Sequence, residues 1–314
     1  MVAGAAVATL VATAASLVVV RRAVAPGHLS ADRTTASHLL HYGRRVWMLN
    51  STGVIHRTMD RTIVGAILGP SAVALVEIAT QVQNGVAALL SASSYAATSS
   101  AAWVRSRDDR EKLRELLLRG TKYTCLLTLP LCGIVAVLAG PLLEVWLPPQ
   151  YAEAAGLVAL AMAYLATQAP LATGSNLLLG VGRAGDILGP AAVAVVVNLV
   201  GSVILVRHIG VAGAFVATIL SSLVLTPLLA RAVARATDVS IGEVGRHAVA
   251  PTLAPALTAT AAAGALVLAP LGALVTLVAG GALGLAAWLA VAGRWSLTTA
   301  ERSELRGLLA RNRT

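Results

Sequence analysis

Three charged side chains fall within fourteen residues of otherwise apolar sequence. "HRTMDRTIVGAILG", His56 to Gly69, carries Arg57, Asp60 and Arg61. A charge at mid-bilayer costs roughly 2.5–3.5 kcal/mol on insertion scales. Three facing lipid together would cost on the order of 8–10 kcal/mol. On a helix, Asn50, Gly53, Arg57, Asp60, Arg61 and Val64 follow i, i+3, i+4 spacing and share one face. The next apolar stretch carries Glu77, Gln81 and Asn84 at i, i+4, i+7, again on one face. The formal charges of the two stripes sum to zero. Two neighbouring antiparallel helices can therefore line a wet cavity whose charges compensate one another, which is where membrane proteins tolerate such groups. Arg57 and Arg61 would suit an anionic headgroup such as a phosphate or diphosphate, because guanidinium forks match its oxygens. Asn50, Gln81 and Asn84 would add neutral contacts. Asp60 and Glu77 would either bind a coupling proton or sodium ion or simply balance the arginines. Asp60 could also pair with Arg57 or Arg61 within its own helix.

The rest of the chain must hold that stripe in place. Of 314 residues, 57% are hydrophobic and only 12% charged, against about 25% charged in soluble domains. Mean hydropathy is +0.79. Apolar runs long enough to span a bilayer recur throughout, and no polar stretch is long enough to fold alone. The fold class is thus all-α: a polytopic transmembrane helix bundle. Nine spans are expected, over 3–20, 46–68, 72–98, 121–142, 154–179, 187–206, 211–233, 248–269 and 271–293. "LGPS" and "APLG" are tight breaks. "PLLEVWLPPQYAEAA" is an interfacial turn around Pro148 and Pro149. Pro130, Pro170, Pro190 and Pro227 interrupt spans, and Gln168, Asn176 and Asn198 are isolated amides. Such amides serve as interhelical hydrogen bonds more readily than as substrate contacts. Gly65/Gly69 and Gly280/Gly284 offer small faces for close helix packing.

Arg and Lys set the expected direction. With the N-terminus outside and the C-terminus cytoplasmic, 21 of the 24 basic residues fall in cytoplasmic segments. Two of those segments, "RSRDDREKLRELLLRG" and the tail "TTAERSELRGLLARNR", read as amphipathic helices lying on the inner surface. There their arginines would meet anionic membrane lipids. The net charge of +10 follows this loop pattern, and no zinc-finger, RNA-binding or helix-turn-helix context accompanies it, so nucleic acid is not an expected partner. Cys125 and Cys132, seven residues apart on one helix, have Cα atoms about 10 Å apart, too far for a disulfide. No HExxH, Gly-x-Ser-x-Gly or Walker A set is present. His28, His38 and His41 share a loop without carboxylates at metal spacing. No enzyme activity, metal or cofactor is expected.

The stretch "LLHYGRRVWMLNSTGVIHRTMDRTIVGAILGPSAVALVEIATQVQNGVAALLSA" resembles the start of the second lobe of bacterial polysaccharide flippases. These are the O-antigen and teichoic-acid exporters of the multidrug/oligosaccharidyl-lipid/polysaccharide (MOP) superfamily. Tyr42-Gly43, the run from Asp60 to Gly69, and "VEIA" at 76–79 match that family, while Ala74 and Leu75 stand where Gly and Tyr are usual. "PLLEVWLPPQYAEAAGLVALAMAYL" is similar to the family's exposed turn, with Pro148 in place of the usual Gly. "NLLLGVGRAGD" and "NLVGSVILVRHIGVAGAFVATILSSLV" resemble its later helices. The resemblance runs from about residue 36 to 235.

It implies an isolated first span at 1–22, the last helix of an incomplete first lobe. A second-lobe-like six-helix bundle at 36–235 would follow, then two accessory spans at 246–295 and a cytoplasmic amphipathic tail at 296–314. It also implies alternating-access movement of a lipid-diphosphate-linked oligosaccharide across the cell membrane. This would be a partial chain, with a second polypeptide or copy supplying the missing lobe. A cation-coupled drug exporter of the same superfamily and a non-transporting scaffold or remnant are the alternatives.

Overall fold

The computed structural model describes residues 11, 13–16, 18, 33–105 and 110–296, without the side chains of 33–35, 38, 39, 57, 92–99 and 101–105. Two compact units make up the chain, Met1–Arg44 and Arg45–Thr314. The helices are α1 (Arg33–Leu68), α2 (Pro70–Arg105), α3 (Arg110–Val137), α4 (Ala139–Trp146), α5 (Ala154–Gly180), α6 (Gly185–Ile209) and α7 (Ala212–Thr237). Then come α8 (Ile241–Val267), which contains a π-helical turn at Gly245–Val249, and α9 (Ala273–Ser296), which ends in another. No strand occurs among the described residues. The chain is an all-α polytopic membrane bundle.

Seven described helices are long and apolar enough to cross a membrane: Pro70–Ser91 of α2, and α3, α5, α6, α7, α8 and α9. Nine spans were expected. One of the other two, 3–20, falls mostly outside the described residues. The remaining one, 46–68, is helical within α1, but His56, Arg57, Asp60 and Arg61 leave it too polar to qualify. A second difference concerns residues 110–120. They are not a separate helix lying on the surface but the first turns of α3. Their leucines enter the interior: Leu113, Leu116 and Leu117 pack with Leu177, Leu178, Leu229 and Val233. An amphipathic stripe serves a helix entering a bundle as well as one resting on a membrane. The 296–314 tail lies outside the described residues except for Ser296.

Gly69 closes the α1–α2 turn at φ +92°, a left-handed backbone that L side chains rarely adopt. The Trp146–Tyr151 region is a turn. α4 ends at Trp146, Pro148 is extended, and Pro149 opens a short 3-10 turn. The interior core joins α1, α2, α3, α5, α6 and α7 through Val64, Val76, Cys125, Val158, Val206 and Phe215. An exposed apolar face runs along α6, where Val193, Val196, Val200 and Ile204 stand at helical spacing.

Several described basic residues gather at one end. Arg45 lies against Gly185. Arg110 pairs with Asp238 at 2.5 Å, Arg114 with Glu243, and Arg183 with Asp186 at 2.6 Å. Arg183 also donates to the Arg235 carbonyl at 3.4 Å. These contacts tie the α7–α8 connection to the start of α3, and the α5–α6 connection to α1 and the end of α7. The opposite end, formed by the Gly69 turn, the Trp146–Tyr151 turn, Gly210 and the α8–α9 turn, carries Arg207 as its nearest basic side chain.

Candidate functional site

Asp60 sits on the side of α1 that faces α6 and α7. Its Oδ1 accepts the Ser202 hydroxyl at 3.0 Å and its Oδ2 accepts the Thr218 hydroxyl at 2.8 Å. Thr218 Oγ1 in turn accepts Asn198 Nδ2 at 2.9 Å. Asn198 and Ser202 are one turn apart on α6 and both are fully buried. Asn198 Oδ1 is also buried and has no hydrogen-bond partner. The result is a knot of oxygen atoms joining three helices inside an apolar bundle. Asp60 is held by hydroxyls from other helices, not by the arginines beside it in sequence.

Arg61 points elsewhere. Its Nε lies 3.1 Å from Glu77 Oε2 on α2, with the two side chains 38% and 48% exposed. The N–H of that nitrogen is not aligned on the carboxylate, so the contact is an ion pair by distance and not a directed hydrogen bond. Consecutive helical residues diverge by about 100°, which is why Asp60 and Arg61 serve different neighbours. The side chain of Arg57 lies outside the described residues.

A cavity of about 320 Å³ opens beside this knot, between α1, α2, α5 and α7. Asp60 and Asn84, both anticipated from sequence, line it. Thr80, Gln83, Gln168 and Tyr164 supply further polar wall, and Phe215 an apolar one. Asn50 and Gln81 are exposed and are not among its lining, nor are Arg61 and Glu77. A second cavity of about 210 Å³ lies between α1, α5, α6 and α7, lined by Thr52, Ser221 and Ser222 among others. The two share Gly53, His56, Tyr164 and Gln168. The His56 and Tyr164 rings are tilted at 40° with centroids 6.3 Å apart. Sequence reasoning missed His56, Tyr164, Ser202 and Thr218. No sequence signal singles out the last two, since hydroxyls in apolar helices usually bond their own backbone.

The chain's likeness to known proteins agrees with this architecture. A MOP-superfamily transporter from Pyrococcus furiosus, described as having a binding pocket of reversed polarity, superposes with TM-score 0.57 at 17% identity, over 81% of this chain and 64% of that one. A MATE transporter in its straight conformation gives 0.58 at 18% identity, over 81% and 64%. An outward-facing multidrug-resistance MATE transporter gives 0.56 at 17%, with the same coverage. The bundle is thus of the MOP transporter fold, and the chain spans about two-thirds of their length, 64%. Residues 1–156 match the family model described as "Polysaccharide biosynthesis protein". That match covers just under half of the chain, and the structural neighbours show the fold. No curated protein matches it in sequence.

Proposed function

We propose that this chain forms part of a transporter that moves a lipid-linked polysaccharide precursor across the cytoplasmic membrane by alternating access. The observation that carries the reading is the polar cavity walled by α1, α2, α5 and α7 in a bundle whose outer surface is apolar. Its amides and hydroxyls suit sugar hydroxyls. Arg57 and Arg61, with Asn50, Gln81 and Asn84, would meet the diphosphate and adjoining sugars. The remaining part of the path would come from further chain or a second polypeptide. The basic end faces the cytoplasm in this reading, because arginine-rich connections are retained there.

Asp60 is the coupling-ion candidate, while Glu77 balances Arg61. Asp60, Ser202 and Thr218 offer hard oxygen donors, and the buried, unpartnered Asn198 Oδ1 adds another. Such a set suits a hard monovalent cation, or a proton on the carboxylate.

The test is surface glycan display in the native host. Arg57→Ala, Arg61→Ala and Asp60→Asn should each abolish display while the chain still inserts. Normal display in Asp60→Asn would remove the cavity from the pathway, and normal display in both arginine variants would remove the diphosphate contact. A second reading, a cation-coupled drug exporter, draws on the multidrug transporter among the structural neighbours. It also draws on a cavity whose described charged lining is a carboxylate, with no Lys or Arg among the described side chains. Inhibition of vesicle transport by cationic dyes but not by lipid diphosphates would favour it.

A further inference from the structure

Proline inside a helix removes the amide proton that the carbonyl four residues earlier would have received. Pro130 in α3 leaves the Leu126 carbonyl without its helical donor, and Pro255 in α8 does the same to the Pro251 carbonyl. Both carbonyls are met by side chains of α9. Trp288 Nε1 donates to Leu126 O at 2.9 Å, and Ser296 Oγ donates to Pro251 O at 2.6 Å. Leu126 is only 7% exposed, in a region where hydrocarbon offers no substitute donor.

The remainder of α9 is shaped to reach these two points. A Cβ on Gly280 would sit 2.9 Å from Leu138 and 3.3 Å from the Ala263 carbonyl. One on Gly284 would sit 3.0 Å from Ile134 and 3.1 Å from the Ala259 carbonyl. These glycines let α9 lie in the groove between α3 and α8 along its length. Trp288 and Ser296 follow on toward the basic end, one turned to each neighbour.

We propose that α9 is a clip that fixes the proline bends of α3 and α8, with Trp288 and Ser296 standing in for the amide protons that Pro130 and Pro255 lack. Both are positioning residues. They act through α3, which braces α5 where Thr124 meets Thr173 at 3.3 Å and where Gly120 abuts Thr173. α5 carries Tyr164 and Gln168 into the cavities. This consequence for transport rests on the function proposed above, whereas the clip itself does not.

The test is a pair of double-mutant cycles on the full chain in detergent, read by thermal unfolding. Trp288→Phe should lower Tm by about 2–4 °C, the worth of one hydrogen bond in a chain of this size. In a Pro130→Ala background the restored amide serves the carbonyl, so the same change should cost less than half as much. Ser296→Ala should behave likewise toward Pro255→Ala. The cross-combination, Trp288→Phe with Pro255→Ala, should be additive. Equal Trp288→Phe penalties with and without Pro130 would mean that Trp288 only fills space, and the clip would be refuted. Should Pro130→Ala fail to insert, the Ser296/Pro255 cycle decides by the same criterion. A transport assay adds a separate arm: Trp288→Phe should slow flux at unchanged half-saturation, with Pro130→Ala restoring the rate. Intact cycles with unaltered flux would leave the clip standing and overturn its link to the cavity.

Discussion

Replacing Thr218 with valine removes one hydroxyl and keeps the branched volume of the side chain. That hydroxyl does two things at once: it donates to Asp60 at 2.8 Å and accepts from Asn198 at 2.9 Å. Bonds to charged groups contribute about 1.5–3 kcal/mol. Interhelical bonds between neutral side chains in membranes average about 0.6 kcal/mol. Thr218→Val should therefore destabilise the bundle by about 2–4 kcal/mol, or roughly 5–15 °C in Tm at about 2–4 °C per kcal/mol. Ser202→Ala removes only one bond to Asp60 and strands no amide, so it should cost distinctly less. Thr218 also lies 3.0 Å from the Ala214 carbonyl, but its single proton cannot serve both acceptors fully. Thermal unfolding in detergent of the parent, both single variants, and Asp60→Ala with and without Thr218→Val gives the numbers. The coupling between positions 60 and 218 should exceed about 1 kcal/mol. A Thr218→Val penalty below that of Ser202→Ala, or no coupling to Asp60, would show that the hydroxyl knot does not hold α1 to α6 and α7.

Two further outcomes follow from packing. Gly284→Val should overfill the seam where a Cβ already stands 3.0 Å from Ile134. It should cost about 1–3 kcal/mol, while Gly281→Val, which meets nothing within 4 Å, should be near neutral in the same unfolding assay. Cys125 and Cys132, 0% and 3% exposed and both unbridged, should resist maleimide labelling until the chain is denatured. Labelling of either in the native state would contradict the α3 packing.

The membrane-spanning helices were legible because an apolar run of some twenty residues has one outcome in a bilayer. Turns such as "LGPS" were legible for the reason that Gly69 must take a positive φ. The polar stripe was readable as a stripe, but its pairing was not. Charge counting set Asp60 against its own neighbours in sequence, whereas the fold hands it to Ser202 and Thr218. Nothing in sequence marks those two, because serine and threonine in apolar helices usually bond their own backbone, as Thr226 and Ser175 do here. Arg61 and Glu77 do meet, across the α1–α2 turn, as opposite charges on antiparallel neighbours can. Residues 110–120 misled because their leucine stripe carries no information about whether lipid headgroups or helices lie beneath it. Pro130 read as an interruption, and the donor that makes it tolerable, Trp288, is 158 positions away in the sequence.

The length of α2 has a mechanical consequence. Its 36 residues make a rod of about 54 Å, while the hydrocarbon layer is about 30 Å thick and spans tilt by no more than about 40°. Laid wholly within the hydrocarbon, the rod would have to lean by more than about 50°, so its far end must leave that layer. With Gly69 as pivot, a rocking of about 10° sweeps that tip through roughly 9 Å. A small change of angle among buried helices would thus be magnified at the end of α2 farthest from them.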